Sequence, residues 1–425
     1  MRILLKNGLV PYGSGYNSKK IDILIEGSKI VKITKDIPKN SAEKIIDAKN
    51  KLVIPGLINT HTHIPMSLFR GLADDLKLDE WLQKYIWPRE AKLTKKDVYY
   101  GSLLALLEMI KSGTTTFVDM YFHEDEVAKA ALKSGLRGYL AYGMIDFGNK
   151  EKAEKEIKEA KRIMKYIDSL KSERINFLFG PHAPYTCSPE FLSEIKHLAD
   201  KYQKFITIHV AETKDEVKMI KKKYGKTPTH LLDSIGFLSE KVLVAHAVWL
   251  IKKDIEILAK RNVTVSHNPV SNMKLASGVM KLKELLAANV NITLGTDGPA
   301  SNNTLDMFEE MKLAALLHKI ATLDPSTVDA KTVFKMATEN AAKFLGIRAG
   351  KIKEGYLADL VLINLNKPHL KPLTNPISHL VYSANGSDVD TVIVNGKVVM
   401  ENREVLTINE EKILSKIDKI AKKFL

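Results

Sequence analysis

INFLFGPHAPYTCSPEFLSEIKHLADKYQKFITIHVAET, residues 175–213, decides the fold. It opens on an apolar run, INFLFGPH (175–182), which breaks at Gly180-Pro181. SPEFLSEIKHLADKY (188–202) follows with its apolar residues three and four apart, which is helical spacing. Ser188 stands where an N-cap belongs, and Pro189 takes the first helical position. A second apolar run, FITIHVAE (205–212), closes the stretch. The order is strand, helix, strand, with a histidine near the end of each strand.

The same alternation extends outward in both directions. Upstream lie IPGLINTHTH (54–63), TTTFVDM (114–120) and RGYLAYG (137–143); downstream lie VLVAHA (242–247), VTVSHNP (263–269) and NITLGTD (291–297). Helical segments separate them. TKKDVYYGSLLALLEMIKSG (94–113) carries Thr94 as N-cap, Asp97 three residues on, and Gly113 just past its end. KKDIEILAKRN (252–262) runs straight into the next strand. Eight β-then-α units in series are the count of a closed (β/α)₈ barrel, here residues 56–346. An open doubly wound sheet would want a GxGxxG-type loop after its first strand, and none is present. The flanks, 1–55 and 347–425, read as short strands broken by Gly, Asn and Pro. The expectation is one small β-sandwich built from both termini.

Composition narrows the class. Over 425 residues, 45% are apolar and 27% charged, an ordinary globular balance that excludes a disordered chain. A lone cysteine, Cys187, rules out an internal disulfide and a Cys₄ metal cluster, and it fits a reducing, cytoplasmic setting. No run of 18 apolar residues suggests a membrane span. The net charge of +15 raises the question of nucleic acid. The lysines, however, alternate with glutamates, as in KEKAEKEIKEAKRIMKY, so they read as solvated helix faces.

In such a barrel the chemistry sits at the C-terminal ends of the strands. There the chain places His61 and His63, His182, His209 with Glu212, His246, His267 and Asp297. His61 and His63 are two apart, so a strand presents both on one face. A lone HxH is a weak signal. Joined by His209 and Asp297 from two other strand ends, it makes a set of N and O ligands suited to a divalent ion such as Zn²⁺. Such an ion brings the pKa of water down to about 7. Asp297 could then take the water's proton, Glu212 could protonate a ring nitrogen of the substrate, and His246 could stabilise the developing charge. Glu212 also reads as a carboxylate at a helix start, and His246 as a buried core histidine. His182, in a stiff Gly-Pro-His-Ala-Pro turn, aims at substrate. His267 reads as a loop-stabilising residue. Cys187 lacks an acidic orienting partner for a Cys–His pair and reads as packing.

At these residues the chain resembles the amidohydrolase superfamily. The resemblance rests on PGLINTHTHIPMSLFRG, GTTTFVDM, GPHAPYTCS, IHVAET, AHAVWL, SHNPVSNMKLASG and LGTDGPASNNTLDMFEEMK. Within the superfamily it is similar to the methylthioadenosine/S-adenosylhomocysteine deaminases and, more loosely, to triazine chlorohydrolases. The resemblance implies one divalent metal, usually zinc, on His61, His63, His209 and Asp297. It implies Glu212 as proton shuttle at the purine, His246 assisting hydroxide, Glu90 of WPREAKLT on the ribose, and His182 on the nucleoside. Two-metal members use a carboxylated lysine at the end of strand 4, where this chain has histidine, so one ion is expected.

The expected reaction is hydrolytic deamination of a 6-aminopurine nucleoside: 5′-deoxyadenosine, 5′-methylthioadenosine, S-adenosylhomocysteine or adenosine. The stretch after strand 3 offers only Arg162, on a helix that looks solvent-facing, and Arg137 comes too early in the strand. Small uncharged 5′ groups are therefore expected to be preferred. The same chemistry on guanine, cytosine or a triazine is the alternative. A nucleic-acid binder is the other class; the H-x-E…P-C-x-x-C pattern of nucleic-acid deaminases needs more cysteines than this chain has. Neither a nucleic-acid nor a membrane partner is expected, and a homo-oligomer is the prior for a barrel.

Overall fold

A computed structural model describes residues 1–12, 17–76 and 78–424. Eight parallel strands form one sheet: β1 (Leu57–Thr62), β2 (Thr114–Tyr121), β3 (Arg137–Met144), β4 (Ile175–Pro181), β5 (Phe205–Val210), β6 (Val242–His246), β7 (Thr264–His267) and β8 (Asn291–Leu294). The ends meet where Thr62 bridges Asp297 in parallel and the Asp297 amide donates to the His61 carbonyl at 2.9 Å. The barrel closes at its chemistry-bearing rim.

The helix signals hold at atomic level. Thr94 Oγ1 accepts from the Asp97 amide while Asp97 Oδ2 accepts from the Thr94 amide, opening Lys95–Lys111 with a reciprocal cap. Ser188 Oγ accepts from the Phe191 amide at the start of Pro189–Tyr202.

One expected strand, 54–63, is two. Lys51–Pro55 belongs to the other sheet, and β1 begins at Leu57. Gly56 is the hinge: a Cβ there would lie 2.1 Å from Thr115 Oγ1, so any side chain forces Thr115 to shift.

The nine-stranded second sheet is built from both ends of the chain. Arg2–Tyr12 pairs antiparallel with Asn17–Glu26 and parallel with Lys44–Asp47. Lys51–Pro55 pairs antiparallel with Leu360–Asn364, which leads on to Val389–Val394. Ile3, Ile23, Ile25, Val53, Leu360 and Leu362 give this sheet its own core. A buried ion pair, Arg137 Nη2 to Asp359 Oδ2 at 3.3 Å, ties the start of β3 to it. The last helix, Glu410–Ala421, lies instead on the barrel helix Lys95–Lys111. Lys111 pairs with Glu410 at 2.7 Å, Lys423 with Asp97 at 2.8 Å, and Phe424 meets Phe69 edge-on. None of the described helices is long and apolar enough to cross a membrane.

Candidate active site and metal centre

His61 is the last residue but one of β1, and His63 lies one residue beyond the strand, where the chain turns into the 3₁₀ segment Ile64–Phe69. Their rings sit edge to face, 4.9 Å apart. Both Nε2 atoms face Asp297 Oδ1, at 3.4 Å from His61 and 3.1 Å from His63. His209, on β5, brings its Nε2 to 3.3 Å from that of His63. Four groups from β1, β5 and the end of β8 thus point ligand atoms at one volume.

The outer nitrogens of two rings are anchored. His63 Nδ1 bonds the Met120 carbonyl at 2.6 Å, and His209 Nδ1 bonds the His182 carbonyl at 2.7 Å. A carbonyl only accepts, so each ring keeps a proton on Nδ1 and turns its Nε2 inward. His61 Nε2 is buried with no hydrogen-bond partner in the structure. Burial pushes His61 down to about 4 and His209 well below the ordinary histidine value, which keeps both neutral. Burial would lower His63 too, but the Asp297 carboxylate overrides it and lifts His63 to about 9. Burial would raise Asp297; His61 and His63 instead hold it well below the carboxylate range. Three inward Nε2 atoms, one of them without a hydrogen bond, and a carboxylate that holds the proton on His63 where a cation would displace it fit a divalent metal, and a metal here is supported.

His246 also comes close enough to form a three-histidine group with His61 and His209. Its hydrogen bond gives it a different capability. Asn272 Nδ2 donates to His246 Nδ1 at 2.9 Å, so the ring proton sits on Nε2 and that edge is a donor. Burial takes His246 down to about 4. His246 Nε2 lies 3.8 Å from Glu212 Oε2, and Ser277 Oγ donates to Glu212 Oε1 at 3.3 Å.

Several groups in this arrangement escape sequence reasoning. Glu216, buried in the first turn of Lys214–Tyr224, accepts the Ala211 and Glu212 amides, both at 2.8 Å. It thereby holds Ala211 in a left-handed turn, φ +53°, that swings Glu212 inward. Asp297, at φ +62°, is held from outside by Ser271 and Ser301, whose hydroxyls donate to Oδ2 at 2.6 and 2.9 Å. The only sequence signal for Glu216 is its place four residues after Glu212, where an acid reads as an ordinary helix-start residue.

A cleft of about 790 Å³ opens over these groups. Its lining includes His63, His182, His209, Glu212, His246 and Asp297, and Glu90 joins them from the short helix Trp87–Glu90. Burial raises the Glu90 carboxyl, and the Tyr121 hydroxyl facing it pulls it back only in part. His182 sits just beyond β4, its Nδ1 on Thr186 Oγ1 at 2.9 Å, and burial drives it down to about 3. His61 does not line the cleft itself, and His267 and Cys187 lie apart from the site. His267 pairs Nε2 to Nε2 with His318 at 3.0 Å within the core. Cys187 donates to the Met144 carbonyl, and burial lifts its thiol to about 11, which makes it a packing residue.

Comparison with known proteins matches this geometry to a family. The amidohydrolase family profile covers residues 52–399. A 5-methylthioadenosine/S-adenosylhomocysteine deaminase of Thermococcus sibiricus is 63% identical, over 94% of each chain. A 5′-deoxyadenosine deaminase of Methanocaldococcus jannaschii is 54% identical, over 98% of each. Among solved structures, an adenosine deaminase from Xanthomonas campestris with bound zinc superposes with a TM-score of 0.91 at 32% identity, covering 99% of this chain and 98% of that one. With the barrel, its rim histidines and aspartate, and a match over most of its length, the chain belongs to the amidohydrolase family.

Proposed function

We infer that this amidohydrolase deaminates 6-aminopurine nucleosides by hydrolysis, with a single divalent ion, zinc, held by His61, His63, His209 and Asp297. The carrying observation is the convergence of three histidine Nε2 atoms and Asp297 Oδ1 beside Glu212 and a proton-bearing His246 edge. The deaminase relatives, at 54–63% identity, supply the substrate class. All these groups belong to residues 56–346; strands of the flanks 1–55 and 347–425 form the composite β unit, while the last helix of the second flank packs on the barrel.

When bound, the cation supplies Lewis acidity that brings the pKa of water toward about 7. Asp297 would accept the proton that this water gives up and pass it to the departing amine. Glu212 would carry a proton to the ring nitrogen beside C6, which makes the carbon electrophilic, and would regain one from the added hydroxyl as C6 becomes a carbonyl. His246 Nε2–H donates to the oxygen that adds to C6 and holds charge developing there. Water is consumed, ammonia leaves, and C6 becomes a carbonyl. His182 contacts the nucleoside, and Glu90 accepts from the ribose hydroxyls.

The experiment is a spectroscopic assay of the adenine-to-hypoxanthine change, run on the parent and on Glu212→Gln. The parent is expected to turn over adenine nucleosides. The variant is expected to lose about 10²–10⁴-fold in kcat while keeping its metal. Turnover of the variant within about tenfold of the parent would remove Glu212 from the proton path.

A further inference from the structure

Behind His63 lies a fully buried pair of carboxyls that takes no step of the reaction: Asp119 near the end of β2, and Glu124 in the first turn of the helix Glu124–Ser134. Strand alternation turns Thr62 the opposite way from His61 and His63. Asp119 stands beside Thr62 in register on β2. Asp119 Oδ1 accepts from the Thr62 hydroxyl at 2.8 Å and from the Ile64 amide at 2.7 Å. A single oxygen therefore grips the residues on both sides of His63. The next residue of β2 takes the ring itself: the Met120 carbonyl accepts from His63 Nδ1 at 2.6 Å.

Glu124 Oε1 accepts from the Tyr121 amide at 2.9 Å. The remaining oxygens, Asp119 Oδ2 and Glu124 Oε2, are buried, and no N–H or O–H of another described residue reaches either. The two carboxyls instead bond each other. Such a bond needs a proton on one of them, since two carboxylates in one buried site do not both ionise. Burial, with Asp119 alongside, raises Glu124 well above the ordinary carboxylate range, which places the proton there.

We propose that Asp119 and Glu124 are a positioning pair for the metal centre: Glu124 donates to Asp119 Oδ2, and this turns Oδ1 to hold Thr62 and Ile64 and so fixes the direction of His63 Nε2. The inference rests on the reading of His61, His63, His209 and Asp297 as ligands of one divalent ion. One amide in either place preserves the arrangement. In Glu124→Gln, Nε2 donates where the acid proton did, and Oε1 still accepts the Tyr121 amide. In Asp119→Asn the bond reverses: Nδ2 donates to an ionised Glu124, and Oδ1 keeps Thr62 and Ile64. The double variant sets NH₂ against NH₂, and no rotation of either amide satisfies every partner.

The test measures zinc affinity by chelator competition and the visible spectrum of the cobalt-substituted protein. It compares the parent, both single variants, the double variant and Thr62→Val. Each single variant is expected within about threefold of the parent in zinc affinity, with the parent's spectrum. The double variant is expected to lose about tenfold to a hundredfold in zinc affinity, with a shifted cobalt spectrum and a lower kcat at little changed KM. Thr62→Val sets a methyl against Asp119 Oδ1 at nearly constant shape. It is expected to weaken zinc by at least about threefold and to shift the spectrum in the same sense, so it decides the matter even where the double variant does not fold. A single variant that loses more than about tenfold overturns the proposal, because the two groups then share no proton. So does parental affinity with a parental spectrum in the double variant or in Thr62→Val. Each of these leaves the metal site standing, provided the parent holds its zinc. A parent that binds neither zinc nor cobalt brings down the metal site and the pair with it.

Discussion

His61 Nε2 is buried without a hydrogen bond, Asp297 Oδ1 standing 3.4 Å away, and leaving such a nitrogen unsatisfied costs about 1–3 kcal/mol unless a ligand fills the gap. His61→Ala is therefore expected to yield folded protein with well under one equivalent of divalent metal by elemental analysis, and to lose activity in step. Metal retained at the parental level would show that the nitrogen serves another purpose. Glu216 acts one step further out. Its two oxygens accept two adjacent amides, and an amide side chain would set an NH₂ against one of those donors. Glu216→Gln is expected to lower kcat by about tenfold to a hundredfold through misplacement of Glu212, with KM and metal content little changed. A loss confined to thermal stability would reduce Glu216 to packing. The contrast explains what the sequence reveals at this scale. His61, His63, His209 and Asp297 stand out because strand period and strand ends place them. Glu216, Ser271, Asn272 and Ser277 act through turns whose geometry no local pattern encodes.

Elements announce themselves where their ends carry chemistry. Thr94 with Asp97, and Ser188, are legible because a helix start exposes amides that these residues satisfy, and Pro189 because it brings no amide to satisfy. The run 54–63 misleads because its apolar residues continue unbroken while the chain passes from one sheet to the other. Only Pro55-Gly56 marks the crossing, and the need for glycine comes from Thr115, distant in sequence. Gly56→Ala puts a methyl 2.1 Å from Thr115 Oγ1 and 2.7 Å from its Cβ. It is expected to cost about 1–3 kcal/mol in urea unfolding, the usual range for overpacking. Thr115→Ala in the same chain should recover part of that loss, because it removes the oxygen in the clash. A double variant no more stable than Gly56→Ala alone would locate the strain elsewhere.

Across the whole molecule, the +15 charge and the Lys/Glu alternation say little about which helix meets which strand. One such contact is the buried pair of His267 at the end of β7 and His318 on the helix Met307–Thr322, 3.0 Å apart. His267 is visible in sequence only as a loop histidine, because its partner lies 51 residues on. The pair makes the fold sensitive to acid. Burial pushes His318 down to about 4, and burial with the neighbouring His318 takes His267 well below its usual value. In the unfolded chain both titrate near about 6.5. Between these values the unfolded state binds protons that the folded state refuses, so stability rises with pH. The contribution is fully present above about pH 6.5 and is lost as pH falls toward 4, at about 1.4 kcal/mol per pH unit for each histidine. The other buried histidines of the rim add to the parent's slope, so the informative quantity is a difference between proteins. His318→Gln keeps a hydrogen-bonding group opposite His267 and does not titrate. Urea midpoints from roughly pH 4.5 to 8 are expected to fall less steeply in the variant than in the parent, by about one histidine's share. Near pH 8 the two should differ little. Parallel curves across the range would mean that His318 is protonated as readily folded as unfolded, and that the pair is no acid-sensitive joint between β7 and that helix.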